Sequence, residues 1–132
     1  MIPANWKQDP YIKTGVGPIS HTEETDLAEF FAIQACQIDI LVDDAVNEGS
    51  QNITLKLYGS TDDGANWTQL YWYDASANVF DPASADNTQT HAANQAHLYT
   101  TWNCHHKMKL TGQRAAEDAT LINIKIRQKH AL

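Results

Sequence analysis

The chain has 132 residues, 42% of them hydrophobic, and a formal net charge of −7. That length is one domain, able to bury roughly two thirds of its unfolded surface and to hold a core without disulfides or metal. The acidic balance repels phosphate backbones and anionic headgroups, which argues against nucleic acid or a membrane surface as partner.

Residues 1–20 are rich in Pro and Gly (Pro3, Pro10, Gly15, Gly17, Pro18) and read as an extended arm with one short strand near Tyr11 to Val16. Arms of this kind cover a sheet edge or reach a neighbour, so Trp6 and Tyr11 are candidate contact residues. The opening Met1-Ile2-Pro3-Ala4-Asn5-Trp6-Lys7 lacks the basic-then-apolar pattern of a secretory signal, so no export is expected. The sequons at Asn52 and Asn66 then read as chance. No run is long enough to cross a bilayer as a helix.

Ser20-His21-Thr22-Glu23 fits a capping box, with Leu27, Phe30 and Phe31 at helical spacing. The preferred reading is a strand from about Glu29, since Phe30, Phe31, Ile33, Ile38, Ile40 and Val42 continue in a β pattern. The apolar parity changes along that run, which calls for a bulge or bend near Gln34 to Gln37, where a strand can change sheets. Asp43 to Ser50 is a turn by composition. Ile53, Leu55 and Leu57 alternate with Thr54, Lys56 and Tyr58, and Trp67 to Tyr73 forms the next strand. Residues 38–73 therefore read as a three-stranded antiparallel meander.

Residues 74–96 are dominated by small polar side chains around Val79 and Phe80. So long a loop is usually functional, which makes Phe80 a further contact candidate. Strands resume at His97 to Asn103 and His106 to Leu110, a loop spans Thr111 to Ala119, and Thr120 to Gln128 closes the chain. There Ile122, Ile124 and Ile126 face inward, while Lys125, Arg127 and Lys129 form a solvated strand face. Seven or eight short strands without a long helix predict an all-β, antiparallel two-sheet sandwich over residues 21–132, with the jelly roll as one form it can take.

Ser60-Thr61-Asp62-Asp63-Gly64-Ala65-Asn66-Trp67 resembles the Asp-box hairpin of sialidase-like propellers and scattered β-sandwich proteins. Asp62 can accept backbone N–H bonds across the turn, Gly64 supplies the positive φ, and Trp67 folds back over the hairpin. In the families that carry it the box is structural. Trp67, Tyr71 and Tyr73 share one strand face and Leu70 and Trp72 the other. With Tyr58 alongside, the aromatic row can stack on sugar rings, centre a protein interface or pack internally.

His97, Cys104, His105 and His106 invite a zinc reading, but neighbouring histidines on a strand point to opposite faces and no paired-ligand spacing accompanies them. Cys36 and Cys104 are far apart in sequence and could pair, but their apolar surroundings favour buried free thiols. The paired acids, among them Asp43-Asp44 and Asp62-Asp63, fall in loops. No nucleophile elbow, phosphate loop or dinucleotide fingerprint occurs, so neither catalysis nor a cofactor is expected.

The layout as a whole resembles small virion proteins of tailed bacteriophages, above all capsid decoration (cement) proteins. The resemblance rests on the N-terminal arm, Phe-Phe-Ala-Ile-Gln-Ala at 30–35, the Leu-x-Leu-x-Gly-Ser-x-Asp-Asp-Gly-x-x-Trp run from Leu55 and the closing Ile-x-Ile-x-Ile strand. It implies a non-catalytic β-sandwich on the capsid surface, assembled in the host cytoplasm, often trimeric, that clamps neighbouring major capsid protein subunits. The alternative is a carbohydrate-binding module using the exposed aromatics, with a glycan as ligand.

Overall fold

The computed structural model describes residues 11–32, 35–44, 52–72, 88–93, 95–102, 105–116 and 122–130, except the side chains of Ala35, Cys36 and His130. Trp6, Tyr73, Val79, Phe80 and Cys104 lie outside the described residues, as does the thiol of Cys36.

Among the described residues nine strands form: β1 (Tyr11–Val16), β2 (Thr25–Phe31), β3 (Ala35–Asp43), β4 (Ile53–Ser60), β5 (Thr68–Leu70), β6 (Thr88–His91), β7 (Ala96–Thr101), β8 (Lys107–Arg114) and β9 (Ile122–His130). One sheet has the order β1-β9-β3-β7; the other has β2-β8-β4-β5, with β6 also on β4. Every pairing is antiparallel. Successive strands β1, β2, β3 and β4 alternate or step between the two layers in the order of a jelly roll, which is the expected sandwich in its double Greek-key form.

The core follows from period-two alternation. Ile38, Ile40 and Val42 on β3 and Ile122, Ile124 and Ile126 on β9 present one apolar face. Ile53, Leu55 and Leu57 on β4, with Met108 and Leu110 on β8 and Leu27 and Phe30 on β2, present the other. Rings also meet between the layers: Tyr11 lies 6.4 Å from Phe30, and Trp72 lies 5.6 Å from Tyr99.

The structure corrects several expectations. The preferred strand forms in place of the capping-box helix but starts earlier: β2 begins at Thr25, where Ser20 N–H is bonded to Thr25 Oγ1, and Leu27 and Ala28 are both buried through a register shift between Asp26 and Ala28. The bend expected near Gln34 to Gln37 is present as a register shift between Ala35 and Gln37, at the start of β3, which belongs to the other sheet from β2. Of the expected meander only the β4–β5 hairpin forms. β3 and β4 lie in opposite sheets, because stacking two apolar stripes face to face covers both, whereas side-by-side pairing covers neither. The last strand of the supposed meander also shrinks to Thr68–Leu70.

Residues 74–96 are not one loop. Leu57 pairs with Leu70 and Lys56 with Thr88, so β6 takes up the edge of β4 where β5 leaves it. The two short strands are one sheet position interrupted by residues 71–87. Likewise β8 runs on to Arg114, through residues read as loop, because Thr111, Gly112 and Arg114 are buried against β2 and β4.

Gly59 closes the inner face of β4 under the His105 ring, where an added Cβ would stand 2.6 Å from His105 Cγ. Gly59→Ala should therefore cost about 1–3 kcal/mol in urea unfolding. The loss should shrink in a His105→Ala background, because the two groups compete for one space.

Candidate functional site

The hairpin at Ser60–Trp67 forms as its residue pattern demands. Ser60 Oγ donates to Asp62 Oδ1 at 2.7 Å and accepts from Gly64 N–H at 2.9 Å. Asp62 also accepts from Asn66 N–H at 2.9 Å and Asn66 Nδ2 at 2.7 Å. Asp63 and Gly64 take φ values of 60° and 89°, and Trp67 lies against Gly64. The bond from Ser60, then those from Asn66, hold the Asp62 carboxyl down at about 2.

The outer face of the five-stranded sheet carries Tyr58 and Trp67 of the aromatics singled out by sequence. Glu29, Lys109, Tyr58 and Gln69 stand side by side on β2, β8, β4 and β5. Lys109 Nζ sits 4.6 Å from the Trp67 ring centre and 5.4 Å from that of Tyr58, within cation–π range of both. It also lies 3.7 Å from Asp26. Glu24 accepts from Lys56 Nζ and Tyr58 Oη, each at 2.7 Å, and from Thr111 Oγ1 at 3.2 Å. Burial raises the Glu24 carboxyl, but the bonds from Lys56, Tyr58 and Thr111 outweigh it and leave it lowered. Burial first, then the Glu24 bond and charge, push Tyr58 up to about 12.

This arrangement tells against an open stacking platform. Lys109 occupies a ring face of both Tyr58 and Trp67, and Lys56, Lys107 and Lys109 each have a carboxylate partner. Tyr71 is half-buried, and the side chains expected inward, Leu70 and Trp72, are buried. Tyr11 is not part of this group; it packs on Phe30 and borders a groove shared by Lys13, Asp26 and Glu29.

The outer face of the four-stranded sheet differs. Its register aligns Ile12, Lys125, Leu41 and Leu98 in one row across β1, β9, β3 and β7. Ile12 is 58% and Leu98 55% exposed at the two ends of that row. Arg127 and Thr100 flank Asp39 in the next row, and Asp39 Oδ1 accepts from Thr100 Oγ1 at 2.9 Å. Exposed Trp102 follows β7 directly. Sequence reasoning missed Ile12, Leu41 and Leu98, because each is a lone large aliphatic side chain on the outer face of its strand.

It also missed a polar cluster between the layers. His91, fully buried, faces Tyr99 Oη at 2.8 Å through Nδ1 and Asp44 Oδ1 at 3.3 Å through Nε2. Asp44 Oδ1 accepts from Gln95 N–H at 2.8 Å. Burial, then the Asp44 charge, push Tyr99 up to about 12. Asp44 and His91 carried no signal, since both stand in polar stretches read as turn and loop. The histidines of the zinc reading part company: His97 packs on Tyr99, His105 on Gly59 and His106 on Phe31. Among the described residues no group of three His, Cys, Asp or Glu side chains is placed to hold a metal ion.

Compared with known protein families, curated proteins and solved structures, the chain matches none.

Because Asp62 is depressed in the fold, its stabilising effect is complete above its ordinary value of 3.8 and is lost as pH falls through about 2. Carboxyl-detected NMR should show Asp62 titrating near 2 in the native protein, and the Asn66 amide shift should follow the same midpoint.

Proposed function

We propose that this chain is a non-catalytic structural protein of a bacteriophage virion, of the capsid decoration type, that binds coat subunits and copies of itself. The observation that carries the reading is the exposed row on the four-stranded sheet. Apolar Ile12 and Leu98 stand at its ends, with Lys125 and half-buried Leu41 between them. Protein interfaces centre on apolar side chains ringed by polar groups, with Arg and aromatics enriched. Arg127 stands in the row beside this one, and exposed Trp102 follows the end of β7 on the same sheet.

Two further features support the reading. The jelly-roll strand order is shared by viral capsid domains and lectins, so the fold admits this role, although fold alone does not assign it. The contrast between the faces is the other. On the five-stranded sheet the described lysines are matched by Glu24, Asp26 and Glu29, while the row on the four-stranded sheet leaves aliphatic groups in water. Multivalent attachment of many such copies stabilises a shell because each contact favours the assembled state.

Leu98→Asp and Ile12→Asp should each abolish co-sedimentation with shells of the parent phage and reduce self-association in light scattering. The melting temperature should change little, because both side chains are already exposed. Undiminished binding by the double variant would reject this face as the docking surface. Removing residues 1–9 tests the arm separately, since cutting at residue 18 would also delete β1 and buried Val16. The shortened chain should remain folded and bind shells more weakly.

A further inference from the structure

Arg114, the last residue of β8, shares the inward parity of Met108, Leu110 and Gly112. It is only 2% exposed, and among the described residues no acceptor lies within hydrogen-bond distance of Nε, Nη1 or Nη2. A guanidinium stays charged at any ordinary pH. An unpaired buried charge is strongly destabilising, so the position calls for an anion.

The backbone fixes where this charge sits. Arg114 N–H donates to Ser20 O at 2.9 Å and Ala115 N–H to Asn52 O at 3.2 Å. Ile53 stands beside Arg114 on one side and beside His91 on the other. The charge therefore lies on the inner side of the five-stranded sheet, at the end where β4 begins and β8 stops. Asp44 is bonded to His91 at that same end, but its Oδ1 is taken by Gln95 N–H and His91, and its Oδ2 is a second buried atom without a partner. Ala115 and Ala116, the next two residues along the chain, are exposed.

We propose that Arg114 anchors a binding site for a small oxyanion, a carboxylate or a phosphate, entered from this end of the sandwich. The planar fork of N–H donors matches two oxygens of such a group at once, and low-dielectric surroundings strengthen the contact. This site is separate from the docking row, which lies on the outer face of the other sheet. It stands whether or not the virion reading does.

The test melts the full chain in a zwitterionic buffer with added inorganic phosphate or acetate, against sodium chloride at matched ionic strength. Phosphate or acetate should raise the melting temperature by several degrees with a saturable dose response, and chloride should not. Arg114→Met should remove that response without lowering the melting temperature in anion-free buffer, because it removes an uncompensated buried charge. In the wild type the Arg114 Nε–H NMR signal should shift along the same saturation curve, a readout that needs no variant. An unshifted Nε–H signal, a wild type blind to both anions, or an Arg114→Met protein that keeps the response each overturn the proposal. So does an Arg114→Met protein that melts several degrees lower without anion, since that reveals a partner within the chain such as Glu117 or Asp118.

Discussion

Two stripes of aliphatic side chains have to be hidden from water, and neither can be hidden within its own sheet. Ile38, Ile40, Val42, Ile122, Ile124 and Ile126 form one stripe; Ile53, Leu55, Leu57, Met108 and Leu110 form the other, and these side chains are essentially inaccessible. At about 25 cal/mol per Å² of apolar surface, pressing them together is the dominant favourable term. The strand order follows from it. Neighbours in sequence such as β2 and β3, or β3 and β4, serve opposite layers, and their hydrogen bonds are completed by strands from elsewhere in the chain.

That arrangement leaves little freedom at the sheet edge beside β4. Two short strands share it, β5 along Leu57–Gly59 and β6 along Ile53–Lys56, so the backbone groups of β4 are met along most of its length although the chain departs between them. β6 has an unpromising composition, Thr88-Gln89-Thr90-His91, yet it brings His91 inward. There His91 joins Asp44 and Tyr99 in a buried hydrogen-bonded group, which pairs both His91 ring nitrogens and Asp44 Oδ1 and leaves Asp44 Oδ2 without a partner among the described residues.

The two outer faces have been solved differently. On the five-stranded sheet, ammonium groups sit over rings and beside carboxylates, and Lys109 serves Tyr58, Trp67 and Asp26 together. Individually such surface pairs are worth little, but together they leave few side chains seeking a partner. The four-stranded sheet shows aliphatic side chains at both edges of its row, which is the more promising surface for another protein. Arg114 departs from both patterns, as a charge carried on the inner side.

Local chemistry was legible in the residues themselves. The Ser60–Trp67 hairpin, the inward Ile122, Ile124 and Ile126, the strand at Tyr11–Val16 and the bend before Gln37 depend on neighbours a few positions away, and side-chain alternation or turn geometry reports such neighbours directly. What the tertiary structure alone decided are the matters set by residues far apart: that β3 and β4 stack instead of pairing, that Thr88–His91 and Thr111–Arg114 are strand, and that Ile12, Leu41 and Leu98 line up on one face. Polar segments become strands only when a distant edge offers hydrogen bonds, and a row across four strands exists only after their registers are set. A one-dimensional pattern holds neither quantity, because both arise from long-range closure of the chain.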